Sequence, residues 1–162
     1  MNFSDYSQIV RRRHEYALGI DTRDFDLLRS IFTPSITMDF EDHSGRPREV
    51  MQADDWVDSC RVLFTGLDAT QHVMTNPIVD VENDRATCKM YMKAEHFLQN
   101  DQGGDDFALG GYYIDQLEKV EGHWLINAVT LKIFWNRGNR HIMSMAYERG
   151  IERSGRPSVQ RN

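Results

Sequence analysis

Apolar positions recur at two different spacings in this chain, and the switch between them divides it into a helical front and a sheet-forming remainder. Over residues 4–20, Ile9, Val10, Arg13, Tyr16, Ala17 and Ile20 return near helical spacing and predict a first helix. Ser4 ahead of Asp5 suits its start, because a serine hydroxyl accepts an orphan backbone N–H. A second, short helix is predicted over 24–32, with Phe25, Leu28, Ile31 and Phe32 as its apolar side, Asp24 as its cap and Pro34 as its stop. A third is predicted over 54–64, burying Trp56, Val57, Cys60 and Phe64, and a last one over 139–150.

Period-two alternation predicts the strands. The first covers 35–41, and a loop follows over 42–47. Four longer runs, 71–81, 86–98, 107–119 and 124–135, are joined by turn-rich segments such as Glu82-Asn83-Asp84 and Glu121-Gly122. Gly110-Gly111 predicts a bend or bulge in the third of these runs. Helices followed by a strongly curved antiparallel sheet give an α+β class, with the helices closing an apolar cavity.

Alternation also assigns faces. Cys88, Met90, Met92, Ala94 and His96 share the inward side of one run, with Lys89, Lys93 and Glu95 opposite. His72, Met74 and Asn76 share a face on the run before it. Leu109, Gly111, Tyr113, Asp115 and Leu117 do so on the next, and Leu125, Val129, Leu131, Ile133 and Trp135 on the last. The candidate pocket lining is Ile20, Met38, Phe40, Met74, Met90, Met92, Tyr113, Val129 and Leu131, a set suited to a small, mostly apolar organic ligand.

Length and charge narrow the class. The chain has 162 residues, so residues 1–150 are read as a single domain and 151–162 as a polar tail. A formal net charge of −6 weighs against nucleic acid as a partner. Arg11, Arg12 and Arg13 are read as a solvated or subunit-facing helix face. Only Cys60 and Cys88 are present, without metal-ligand spacing, which points to a reduced, cytoplasmic protein. The start lacks an apolar signal core, and no run is long enough to span a membrane.

The candidate chemistry rests on Asp21, at the end of the first helix, and His72, at the head of a strand. An aspartate that orients a histidine builds a general base. His96 sits on an apolar face, where an unpaired polar ring is costly. His14, His43, His123 and His141 are assigned to surface or loop roles. No metal is expected, because beyond His72 and His96 the only further ligand is Asp21, which is better used to orient His72.

The run Tyr16-x4-Asp21-x2-Asp24, the pair Gln71-His72 ahead of a strand, and Gly110-Gly111-Tyr112 to Gly122-His123-Trp124 resemble the SnoaL-like branch of the NTF2-like superfamily. That branch includes scytalone dehydratase, bile-acid 7α-dehydratase and hexachlorocyclohexane dehydrochlorinase. The resemblance implies a cone-shaped fold, with Asp21 bonded to a catalytic His72. It matches Tyr16 to a tyrosine or lysine of the site, and His96 to a second active-site histidine. The chain departs from those patterns at Ile20, Phe40, Gly111, Tyr113 and Val129, so no one of those substrates carries over.

The resulting expectation is a cofactor-independent lyase of the dehydratase type, with isomerisation as a near relative. Asp21 and His72 supply the base, Tyr16 donates to the substrate oxygen, and His96 assists the leaving hydroxyl, either protonated or through water. The expected partners are a small-molecule substrate and further copies of the chain, as a dimer or trimer. The alternatives are a non-catalytic ligand-binding domain and an accessory small subunit of an aromatic-ring dioxygenase.

Overall fold

The computed structural model describes residues 2–154. Helix α1 (Phe3–Thr22) is capped by Asn2, whose side chain accepts the Asp5 N–H at 2.9 Å, so the cap lies ahead of the expected Ser4. Arg23 follows in the left-handed region (φ 62°) and turns the chain into α2 (Phe25–Ser30). Asp24 caps α2 as expected, accepting the Leu27 N–H at 2.9 Å. Pro34 does not end this helix; it lies inside β1 (Phe32–Asp39). The chain leaves α2 because the Ile31 carbonyl already accepts the Ile126 N–H from the sheet, at 2.9 Å.

The predicted loop over 42–47 overlaps one helical turn, α3 (Glu41–Ser44), and is followed by a short strand, β2 (Glu49–Gln52). Glu49-Val50-Met51-Gln52 carries no alternation of burial, which is why it left no strand signal. Then come α4 (Ala53–Gly66), β3 (Ala69–Glu82), β4 (Arg85–Phe97), β5 (Asp106–Val120), β6 (His123–Gly138) and α5 (His141–Ser154). Residues 151–154 thus belong to α5 rather than to the tail, and 155–162 lie outside the described residues.

The six strands order as β2-β1-β6-β5-β4-β3. All neighbours are antiparallel except β1 and β6, so the sheet is mixed and not the expected antiparallel one. A parallel pair needs a crossover, and the α4-to-β5 stretch between β1 and β6 supplies it. Helix α1 packs against β3, β4 and β6, while α4 and α5 pack on each other. A Cβ on Gly66 would overlap the Ala146 carbonyl, and one on Gly150 the Val62 carbonyl, so these two glycines let α4 and α5 approach backbone to backbone.

Strand alternation holds through β4, where Cys88, Met90, Met92, Ala94 and His96 are buried and Lys89, Lys93 and Glu95 are exposed. In β5, Leu109, Gly111, Tyr113, Asp115 and Leu117 are buried as expected. Strand β6 departs from expectation because two register shifts flip its faces. One skips Asn127, opposite Gln116 and Leu117, so Trp124 and Ile126 are buried in place of Leu125. The other skips Phe134 at Gly110-Gly111, so Trp135 turns outward and lies against Gly110, where no side chain would fit. Asn76 is likewise turned out: it has φ 56°, lies in a shift between Thr75 and Ile78, and is exposed.

Candidate active site

Asp21 sits in the last turn of α1, where the helix meets the start of edge strand β3. Its Oδ1 accepts the Thr70 hydroxyl at 2.5 Å and faces the His72 Nδ1 at 2.7 Å. Its Oδ2 accepts the His72 backbone N–H at 2.6 Å. A carboxylate can only accept, so His72 carries a proton on Nδ1, and in the neutral ring the lone pair lies on Nε2. Burial pushes the Asp21 carboxyl up, but the bonds from the His72 ring, Thr70 and the His72 amide outweigh it and hold the group below the ordinary carboxylate range. At neutral pH Asp21 is therefore charged and fixed by three donors.

The His72 side chain is almost fully buried and meets His96 edge to face, with ring centroids 5.8 Å apart. Phe64 from α4 stands edge-on to His72 and stacks on His96. The His96 Nδ1–H donates to the Phe107 carbonyl at 3.1 Å. Burial, reinforced by the neighbouring His72, lowers His96 from 6.5 to about 4. His96 is thus neutral near pH 7 and presents Nε2 as an acceptor. Of its two expected modes, this favours action through water over action as a protonated ring.

Tyr16 belongs to a second cluster. Its ring meets Tyr113 at 5.7 Å and Phe32 at 6.3 Å, both edge to face. Burial pushes both phenols up, so both stay neutral donors at working pH.

Arg13 overturns the reading of the arginine run. Exposed Arg11 and half-buried Arg12 both pair with Glu15, but Arg13 is fully buried and forms a two-pronged ion pair with Asp115. One prong, Nε to Oδ2, is 2.8 Å long. The signal was present in the helical phase: Arg13 falls in register with Ile9, Tyr16 and Ile20, and Asp115 falls on the inward face of β5. Thr70 was the other omission. It left no signal of its own, since an edge-strand threonine is ordinary.

Of the nine expected lining residues, Met38 and Phe40 line a cleft of about 970 Å³ closed by α3, α4 and α5. Trp56, Leu63 and Met143 add apolar walls, and His43, Arg46, Arg140 and His141 add a polar rim. Two of the histidines assigned to the surface thus border this cleft. Phe40 stands edge-to-face with Trp56 at 5.1 Å and touches Tyr113 at 6.3 Å, which connects the cleft to the phenol pair. Ile20, Met90, Met92, Val129 and Leu131 are buried in the core, Met74 is packed against it, and Tyr113 lies in the phenol cluster. Among the described residues, no group of three or more His, Cys, Asp or Glu side chains is placed to hold a metal ion, and no helix is long and apolar enough to cross a membrane.

The SnoaL-like domain model matches residues 2–130. The chain belongs to the SnoaL-like domain family. A dehydratase of Pestalotiopsis microspora is 25% identical over 134 residues, covering 78% of this chain and 84% of the relative. Scytalone dehydratase of Aspergillus fumigatus is 24% identical over 148 residues, covering 84% of this chain and 86% of the relative. A crystal structure of a Kribbella flavida protein superposes with a TM-score of 0.82 at 28% identity, covering 87% of this chain and 97% of that one. The distant homology to dehydratases points to lyase-type activity.

Proposed function

We propose that the protein is a cofactor-independent lyase that eliminates water from a small, mostly apolar substrate by proton abstraction beside a carbonyl. The observation that carries the reading is the Asp21–His72 pair, whose 2.7 Å bond fixes one tautomer and leaves Nε2 free inside the fold. Nε2 removes the C–H proton next to the carbonyl, and the developing imidazolium is stabilised by the Asp21 carboxylate. Tyr16 donates to the carbonyl oxygen as it becomes enolate-like. The C–H electrons form the double bond, the C–O bond breaks, and the departing hydroxyl takes the proton from His72 to leave as water. Neutral His96 offers its Nε2 to the hydroxyl hydrogen and orients the leaving group.

The test is a panel of cyclic and aryl β-hydroxy ketones, followed by the absorbance of the conjugated enone that forms. On a substrate so identified, Asp21→Asn and His72→Ala each lower kcat about a hundredfold or more, the scale of a lost general base. Full turnover in both variants excludes this mechanism. Binding of panel members without enone formation favours a ligand-binding domain instead.

A further inference from the structure

Side chains of α1 meet Asp115, Tyr113 and His72 on one face of the sheet. The opposite face of β3–β6 is apolar at its centre and open to solvent: Val73, Ile78, Tyr91, Phe134 and Trp135 are each 42–62% exposed. Tyr91, Tyr112 and Phe134, one from each of β4, β5 and β6, form a ring cluster with centroids 5.3–6.5 Å apart. Single exposed apolar side chains are ordinary, but a contiguous cluster of this kind marks an interaction surface. The charges around it are of both signs, and several are already paired, Lys93 with Glu95 at 2.7 Å and Lys132 with Asp42 at 3.0 Å. Such a rim does not favour a nucleic acid or an anionic lipid surface, each of which needs an excess of basic side chains.

We propose that this face is the interface of a homodimer, closed by a second copy of the chain about a two-fold axis that runs along the strands between β4 and β5. The strand register makes the face self-complementary about that axis. The rotation lays β4 over β5 of the second copy, and β3 over its β6. Tyr91 and Tyr112 are register partners, so each faces the other's counterpart across the interface, with Phe134 beside them. Val73, Lys93, Gly110 and Trp135 share one row, so exposed Val73 comes over the partner's Trp135. Arg85 and Glu118 are register partners as well, so each Arg85 comes over the partner's Glu118, an opposite-charge contact that the symmetry makes twice. Four strands about 4.8 Å apart and ten residues long give a flat footprint of roughly 600 Å². Side-chain relief raises that toward the roughly 800 Å² per partner of a stable pair.

The test is the mass of the full chain in solution, by light scattering on a sizing column and by sedimentation equilibrium. At roughly 100 μM the wild type is expected at twice the chain mass. Tyr91→Lys combined with Phe134→Lys sets unpaired charge in the middle of the ring cluster. That variant is expected to be monomeric at the same concentration, with the wild-type circular dichroism spectrum. If it does not fold, Glu118→Arg takes its place: it sets like charges over each other and should weaken the dimer about tenfold or more. Adding Arg85→Glu exchanges the two charges and should restore the dimer, which an interface elsewhere on the protein would not do. A wild type that is a monomer or a trimer, a folded Tyr91→Lys, Phe134→Lys variant that still dimerises, or a charge exchange that leaves the dimer weakened overturns the assignment.

Discussion

Lowering the pH should destabilise this fold through one residue, His96, by an amount the structure sets. His96 is 4% exposed and lies between Phe64 and Phe107, with its one N–H spent on the Phe107 carbonyl. Its protonation midpoint falls from 6.5 to about 4 on folding, because burial and the nearby His72 disfavour a second proton. The unfolded chain therefore takes up a proton at higher pH than the native one. The stabilisation is full above about pH 6.5, declines as the pH falls, and is exhausted near pH 4, where the native state also protonates. A displacement of this size is worth on the order of 3 kcal/mol over the whole window. Urea unfolding at steps from pH 7 to pH 4, for the wild type and for His96→Phe, isolates the term, because carboxylate contributions are common to both proteins. The wild type should lose roughly 2–3 kcal/mol more than the variant across that range. Parallel losses in the two proteins would refute the burial of a neutral His96.

Four further outcomes are open to measurement. Thr70→Val removes a 2.5 Å donor from Asp21 and should cut turnover about tenfold or more, the scale of a hydrogen bond to a charged group, with the variant still folded. Asp21→Asn should lower kcat/KM about a hundredfold, because the charged partner that stabilises the imidazolium of His72 is gone. Gly66→Ala should lower thermal stability by roughly 1–3 kcal/mol or more, because the new Cβ meets the Ala146 backbone and α5 must shift. Cys60 and Cys88 are buried, with the Cys88 thiol pushed up to about 12 by burial, so both should resist alkylation until the protein is unfolded.

The sequence made the long strands legible for a physical reason: they repeat with a strict period. A 13-residue strand such as β4 repeats its inward side chains often enough that end effects do not matter. Asp21 and His72 were found because each marks the end of an element, one closing α1 and one opening β3. What escaped was set by tertiary contact. The β6 faces could not be read, because the skips at Asn127 and Phe134 are fixed by pairing with β5 and not by β6 itself. The parallel placement of β1 depends on how the helices carry the chain across the sheet. Arg13 was misread because three adjacent arginines look like one surface cluster, although successive helical residues point about 100° apart and only the third faces inward.

That angular argument also explains how one helix serves two polar clusters. Tyr16 and Asp21 are five positions apart on α1, a rise of about 7.5 Å and a rotation of about 140°. Tyr16 therefore points to the core with Arg13 and Ile20, while Asp21 emerges on the flank that meets edge strand β3. The proposed base beside Asp21 and the proposed donor Tyr16 are thereby carried on different sides of one rigid element. Moving either residue one position along α1 would rotate it about 100° out of its cluster. The interval between Tyr16 and Asp21 is thus a constraint of the chemistry proposed, while the apolar residues around them need only fill space. Core substitutions such as Met90→Leu should accordingly leave turnover nearly intact, whereas exchanging Asp21 with Thr22 should remove it without unfolding α1.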